Sequence, residues 1–99
     1  MLHMIVAIHG PDTCAANVPE VRDMAVSAFQ RMDEITAALS IKVQGAWANM
    51  PAHAIYIVVD APNAHVVNQM AREAQLMNWN TVTVTPIVTL QEAIGAVQQ

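Results

Sequence analysis

His9, Cys14 and His53 are the residues of this chain best suited to chemistry. Cys14 is the single cysteine and follows His9 by five residues in the stretch HGPDTCAAN. Imidazole nitrogen and thiolate sulfur are favoured ligands of zinc, copper, nickel and iron. Two imidazoles and one thiolate leave a fourth position open, the arrangement of a catalytic centre and not of a closed structural one. The same side chains offer two metal-free chemistries. Cys14 can act as a nucleophile or redox thiol, with His9 or His53 as its base and Asp12 orienting a histidine. Alternatively, a histidine alone can shuttle a proton on a bound ligand, as an isomerase requires. The catalytic candidates are therefore Cys14 and His53, and the metal-ligating candidates His9, Cys14 and His53. The H-x4-C spacing with a distant histidine is not that of a zinc finger, so the case depends on whether the fold brings the three together.

Each residue also has a plainer reading. A free cysteine is among the most often buried residues and is usually inert. A histidine at a strand end is commonly a hydrogen-bonded edge residue. His3 reads as an edge or interface residue, and His65 as a solvated one. Met24, Met32, Met70 and Met77 fall on apolar helical faces and read as core fillers. Trp47 and Trp79 read first as packing residues.

The elements that position these residues follow from hydrophobic periodicity. LHMIVAI, residues 2–8, is an apolar run closed by Gly10-Pro11-Asp12, the signature of a buried strand. Met4, Val6 and Ile8 share one face; His3, Ile5, Ala7 and His9 share the other. A first helix is expected from Asn17 as cap, with Pro19 in the first turn and Glu20 completing a capping box. Its apolar stripe is Val21, Met24, Ala25, Ala28, Met32, Ile35 and Leu39. VQGAWAN (43–49) and AIYIVVD (54–60) read as two antiparallel strands joined by a hairpin loop. A second helix, from Pro62 or Asn63 to Met77, carries Val66, Val67, Met70, Ala71, Ala74 and Met77 on one face. TVTVTPIV (81–88) reads as a last strand, interrupted or ended by Pro86. Thr89 and Glu92 form a capping box for a short terminal helix.

The order is βαββαβ with a helical tail in a single domain spanning residues 1–99. That is an α+β, ferredoxin-like plan: an antiparallel sheet with two helices on one face and a short C-terminal helix. Its two central strands are the first and third, and they run antiparallel. The end of the first, with His9, then meets the start of the third, with His53, and Cys14 lies in the loop leaving the first.

Apolar residues make up 55% of the chain and charged residues only 12%. Ordinary soluble domains have about 45–50% and 25% respectively. So little charge implies a buried apolar face, and hence a homodimer or higher homo-oligomer. The uncovered side of the sheet is expected to carry Ile5, Ala7, Trp47 and one apolar set from 54–60. Net charge is −4 and the four basic residues are scattered, which argues against nucleic acid as a partner. No apolar run is long enough to span a membrane. The N-terminus lacks the basic start of a leader, and a lone cysteine agrees with a reducing compartment, so a cytoplasmic location is expected.

The segments HGPDTC, VQGAWANMPAHAIYIVVDAPN and TVTPIVTLQEA resemble a family of uncharacterised short proteins. More distantly the plan is similar to the dimeric α/β-barrel proteins, among them muconolactone isomerases and antibiotic-biosynthesis monooxygenases. The resemblance implies two subunits packed sheet to sheet. It does not select an activity, because the superfamily includes isomerases, oxygenases, haem-degrading enzymes and ligand sensors. Sheet packing would enclose a small-ligand or cofactor cavity lined by Trp47, Ile55 and Ile57 beside the His/Cys site. Two functions remain in view: a dimeric α/β-barrel protein, an enzyme or a binding protein, that takes a metal or small ligand at that site, and a non-enzymatic module whose sheet face mediates self-association.

Overall fold

The apolar run LHMIVAI forms strand β1 (Leu2–Ile8), and AIYIVVD forms β3 (Ala54–Asp60). In this computed structural model, which describes residues 1–98, the other elements are α1 (Pro19–Ala38), β2 (Lys42–Asn49), α2 (Ala64–Glu73), β4 (Thr81–Pro86) and α3 (Leu90–Val97). The strands make one antiparallel sheet in the order β2-β3-β1-β4. With its three helices this α+β arrangement is compatible with the ferredoxin-like plan.

Cross-strand register decides which face is covered. Ile5 lies opposite Ile57 and Val84, and Ala7 opposite Ile55 and Val82. Ile5, Val59, Val67, Met70 and Ala71 are fully buried, so this face meets the helices. Ile5 and Ala7 are thus core residues, contrary to their expected place on the uncovered side. Both faces of β1 are apolar, and apolarity alone could not choose between them. His3 shares the covered face and is buried, with Nδ1 3.2 Å from the Met1 carbonyl oxygen, so it is not an edge residue. The uncovered face carries Met4, Val6 and Ile8 with Val58, Tyr56 and Trp47 across from or beside them. The Trp47 indole lies over Gly45, where a Cβ would overlap it. The N-terminal ammonium pairs with Asp60 at 2.6 Å, ties the start of β1 to the end of β3, and holds that carboxyl below its ordinary range.

The apolar stripe of α1 faces inward: Val21, Ala28 and Ile35 are buried, and Met24, Ala25, Met32 and Leu39 pack against them. Burial of each large apolar chain contributes roughly 1.5–3 kcal/mol. Its N-terminus differs from expectation. The cap position is Val18, and Asn17 lies one residue earlier, donating from Nδ2 to the Pro11 carbonyl at 3.3 Å. The reason is a preceding turn, in which the Cys14 carbonyl accepts from both Asn17 N–H and Val18 N–H at 2.9 Å.

Asn63 caps α2 through Val66 N–H at 3.0 Å, as expected. The helix ends at Glu73, short of Met77, because Gln75 takes a left-handed conformation (φ 60°) before a 3-10 turn over Leu76–Asn78. Met77 is therefore 37% exposed and not a core filler, whereas Met70 is fully buried. Pro86 closes β4, and the Thr89 hydroxyl accepts from Glu92 N–H at 3.1 Å to cap α3. Between α1 and the β2–β3 half of the sheet lies an apolar pocket of about 410 Å³, bordered by Phe29, Met32, Val43 and Ile57.

Candidate metal centre

Three chain segments meet at one end of the sheet. The first is the residue after β1, His9. Its backbone N–H donates to the His53 carbonyl at 3.0 Å, which carries the β1–β3 ladder one residue past the strand. The second is the hairpin between β2 and β3. There Ala52 N–H donates to Asn49 Oδ1 at 3.1 Å and His53 N–H to the Met50 carbonyl at 3.2 Å. His53 closes this turn at φ 52°, in the left-handed region that costs a non-glycine residue about 1–2 kcal/mol. Histidine is among the residues that enter that region more readily. The third is the β1–α1 loop. A 3-10 turn over Pro11–Thr13 delivers Cys14, and Arg22 clamps the following residues by donating to the Ala15 and Ala16 carbonyls at 3.0 and 3.1 Å.

The result is the convergence sought in the sequence. One ligand atom each from His9, Cys14 and His53 lies within 4.8 Å of the others, and all three side chains are partly buried. The two imidazoles meet edge to face, with centroids 5.3 Å apart. Bonds near 2.0–2.3 Å around one ion require ligand separations of roughly 3–4 Å, so closure on a metal needs movements of about 1 Å. The residues border a cleft of about 330 Å³, shared with Asn49, Met50 and Ile55. Among the described residues, no charged side chain lines it.

Of the residues expected to line a ligand cavity, only Ile55 borders this cleft. Ile57 faces the helices in the neighbouring apolar pocket. Trp47 is 59% exposed on the opposite face of the sheet. The three do not form one wall, because Ile55 and Ile57 share the covered face of β3, whereas Trp47 pairs with Tyr56 on the other.

Two residues of the site were not foreseen. Asn80 Oδ1 lies 2.9 Å from His9 Nδ1, while Asn80 Nδ2 donates to the Leu76 carbonyl at 3.0 Å. That second bond orients the amide, so the oxygen faces the imidazole and can only accept. His9 Nδ1 therefore carries the ring proton, and the lone pair of the neutral ring resides on Nε2. Metal-bound histidines almost always donate their second ring N–H in this way. Asn80, and not Asp12, is the group that orients a histidine here. Trp79 packs against His9 with centroids 5.1 Å apart, and its buried Nε1 has no partner among the described residues. The topology held the signal for both. β1 and β4 are antiparallel with Ile8 opposite Thr81, so the residues just before β4 adjoin the one just after β1.

If the cluster holds a metal, replacing Asn80 with alanine is expected to weaken its binding by about 10–100-fold, the usual cost of losing such an orienting partner. Isothermal titration with cobalt measures it. An unchanged affinity would show that His9 does not need the amide.

No protein-family model matches the chain, and no curated protein sequence matches it either.

Proposed function

We propose that this domain binds a transition-metal ion through His9, Cys14 and His53, with a further coordination position facing the cleft. The observation that carries the reading is the approach of the three donors to within 4.8 Å from three separate chain segments. The Asn80 contact supports it further, because it leaves His9 Nε2 as a free donor. Zinc, copper, nickel and iron all accept such a donor set. A ligand entering the cleft would bind the open position. A reducing, cytoplasmic setting suits a site that depends on a free thiol. Metal analysis of untagged protein, reconstituted with one equivalent of each ion and passed through a desalting column, tests the proposal. One ion retained per chain is expected, and loss of every ion refutes it.

A second reading concerns assembly and is compatible with the first. The uncovered sheet face presents Met4, Val6, Ile8, Tyr56, Val58 and Trp47, with Ile8 51% and Trp47 59% exposed. We infer that two copies pack these faces together, as in a dimeric α/β barrel. On this view self-association would persist in variants that have lost the metal ligands.

A further inference from the structure

The methionines of this chain divide by environment. Met70 is fully buried, and Met24 and Met32 pack against the core, so all three have a structural role. Met50 has no such role. It stands 70% exposed at the β2–β3 hairpin, yet it borders the cleft that holds His9, Cys14 and His53. Its carbonyl accepts the His53 N–H at 3.2 Å, so the two residues belong to one turn. Its thioether is therefore not engaged in packing and stands at the rim of a two-histidine, one-cysteine cluster.

We propose that the centre is a mononuclear copper site, with His9, Cys14 and His53 as the three strong ligands and the Met50 thioether as a weak fourth. This rests on the reading of the cluster as a metal site and names its ion. Three arguments favour copper. First, two imidazoles and a thiolate with a distant thioether are the donor set of copper electron-transfer centres, and thioethers are soft donors suited to Cu(I). Second, copper stands highest in the affinity order of the divalent first-row ions for such donors. Third, no charged side chain lines the cleft among the described residues. A thiolate and Cu(I) sum to zero charge, whereas any divalent ion, Cu(II) included, leaves one positive charge, so a cleft without charged side chains suits the one ion of the series that is stable in a monovalent state. The bound ion can pass between Cu(II) and Cu(I) by taking or giving one electron at the metal. No protein bond is made or broken in that step, and the electron comes from an external one-electron donor.

The test adds one equivalent of Cu(II) to untagged, fully reduced protein under argon. Expected are one copper per chain and an intense visible thiolate-to-copper charge-transfer band. Ascorbate, supplying one electron per copper, bleaches the band and ferricyanide restores it. Cys14→Ser loses the band. Met50→Leu, a change at an exposed position, keeps the copper and the band but shifts the band and the reduction potential, because the axial ligand tunes both. Retention of zinc or cobalt at one per chain, with copper giving no thiolate band, overturns the copper assignment and leaves the metal reading standing. Failure to bind any of these ions overturns both. A Met50→Leu protein with the unaltered band and potential removes Met50 from the ligand set.

Discussion

Replacing Cys14 with alanine is expected to abolish stoichiometric metal binding, with a loss of affinity well above 100-fold. The thiolate is the only anionic donor of the three. Its removal takes away the charge that offsets the cation as well as one of three bonds. Loss of an orienting partner outside the ligand set already costs about 10–100-fold, so loss of a ligand exceeds that range. At 1.4 kcal/mol per factor of ten, 100-fold corresponds to about 2.8 kcal/mol. The fold should tolerate the change. Cys14 is only partly buried, and its backbone makes the bonds that shape the loop: its carbonyl accepts from Asn17 and Val18 at 2.9 Å. Thermal unfolding without metal should therefore be nearly the same for the variant and the parent. Only the parent should gain stability when metal is added, because an ion that binds the folded state alone shifts unfolding by mass action. Equal stabilisation of both proteins would place the ion elsewhere.

The convergence behind this prediction follows from topology more than from any motif. The spacing of His9 and Cys14 matches no familiar pattern. Once β1 and β3 are read as antiparallel central neighbours, however, the end of one must meet the start of the other. The bounds of those strands, 2–8 and 54–60, were readable because turn residues close both apolar runs. The caps at Asn63 and Thr89 were readable for the same local reason. Asn17 misled because a capping box is a local signal, and the Cys14 turn displaced it. The end of α2 was hidden because Gln75 is not a residue that announces a left-handed turn. Asn80 lies 71 residues from His9, and its role depends on the β1–β4 register as well as on the Leu76 carbonyl. Sequence patterning carries the first of these and not the second.

The uncovered sheet face supplies the other large effect. Val58→Glu is expected to convert a dimer into a monomer at micromolar concentration, as read by light scattering. Val58 lies opposite Met4 on one side and Gly45 on the other, in the middle of the apolar face. Two-fold packing of this face places each substitution twice in the interface, and a charge buried there without a partner costs several kcal/mol. Even 3 kcal/mol raises the dissociation constant by more than 100-fold. Gln69→Glu serves as the control, because it adds the same charge on the exposed side of α2, away from the sheet. It should leave the dimer intact. Metal binding decides how the two properties are related. His9, Cys14 and His53 all come from one chain and adjoin the covered side of the sheet, so a monomeric Val58→Glu protein should still retain one ion. Loss of metal together with the dimer would mean that the partner subunit closes the cleft. A parent protein that is already monomeric would refute the packing itself. The apolar face would then need another cover, and the short helix α3, which has no fully buried residue and leaves Leu90 76% and Val97 82% exposed, is the segment best placed by its own apolarity to supply it.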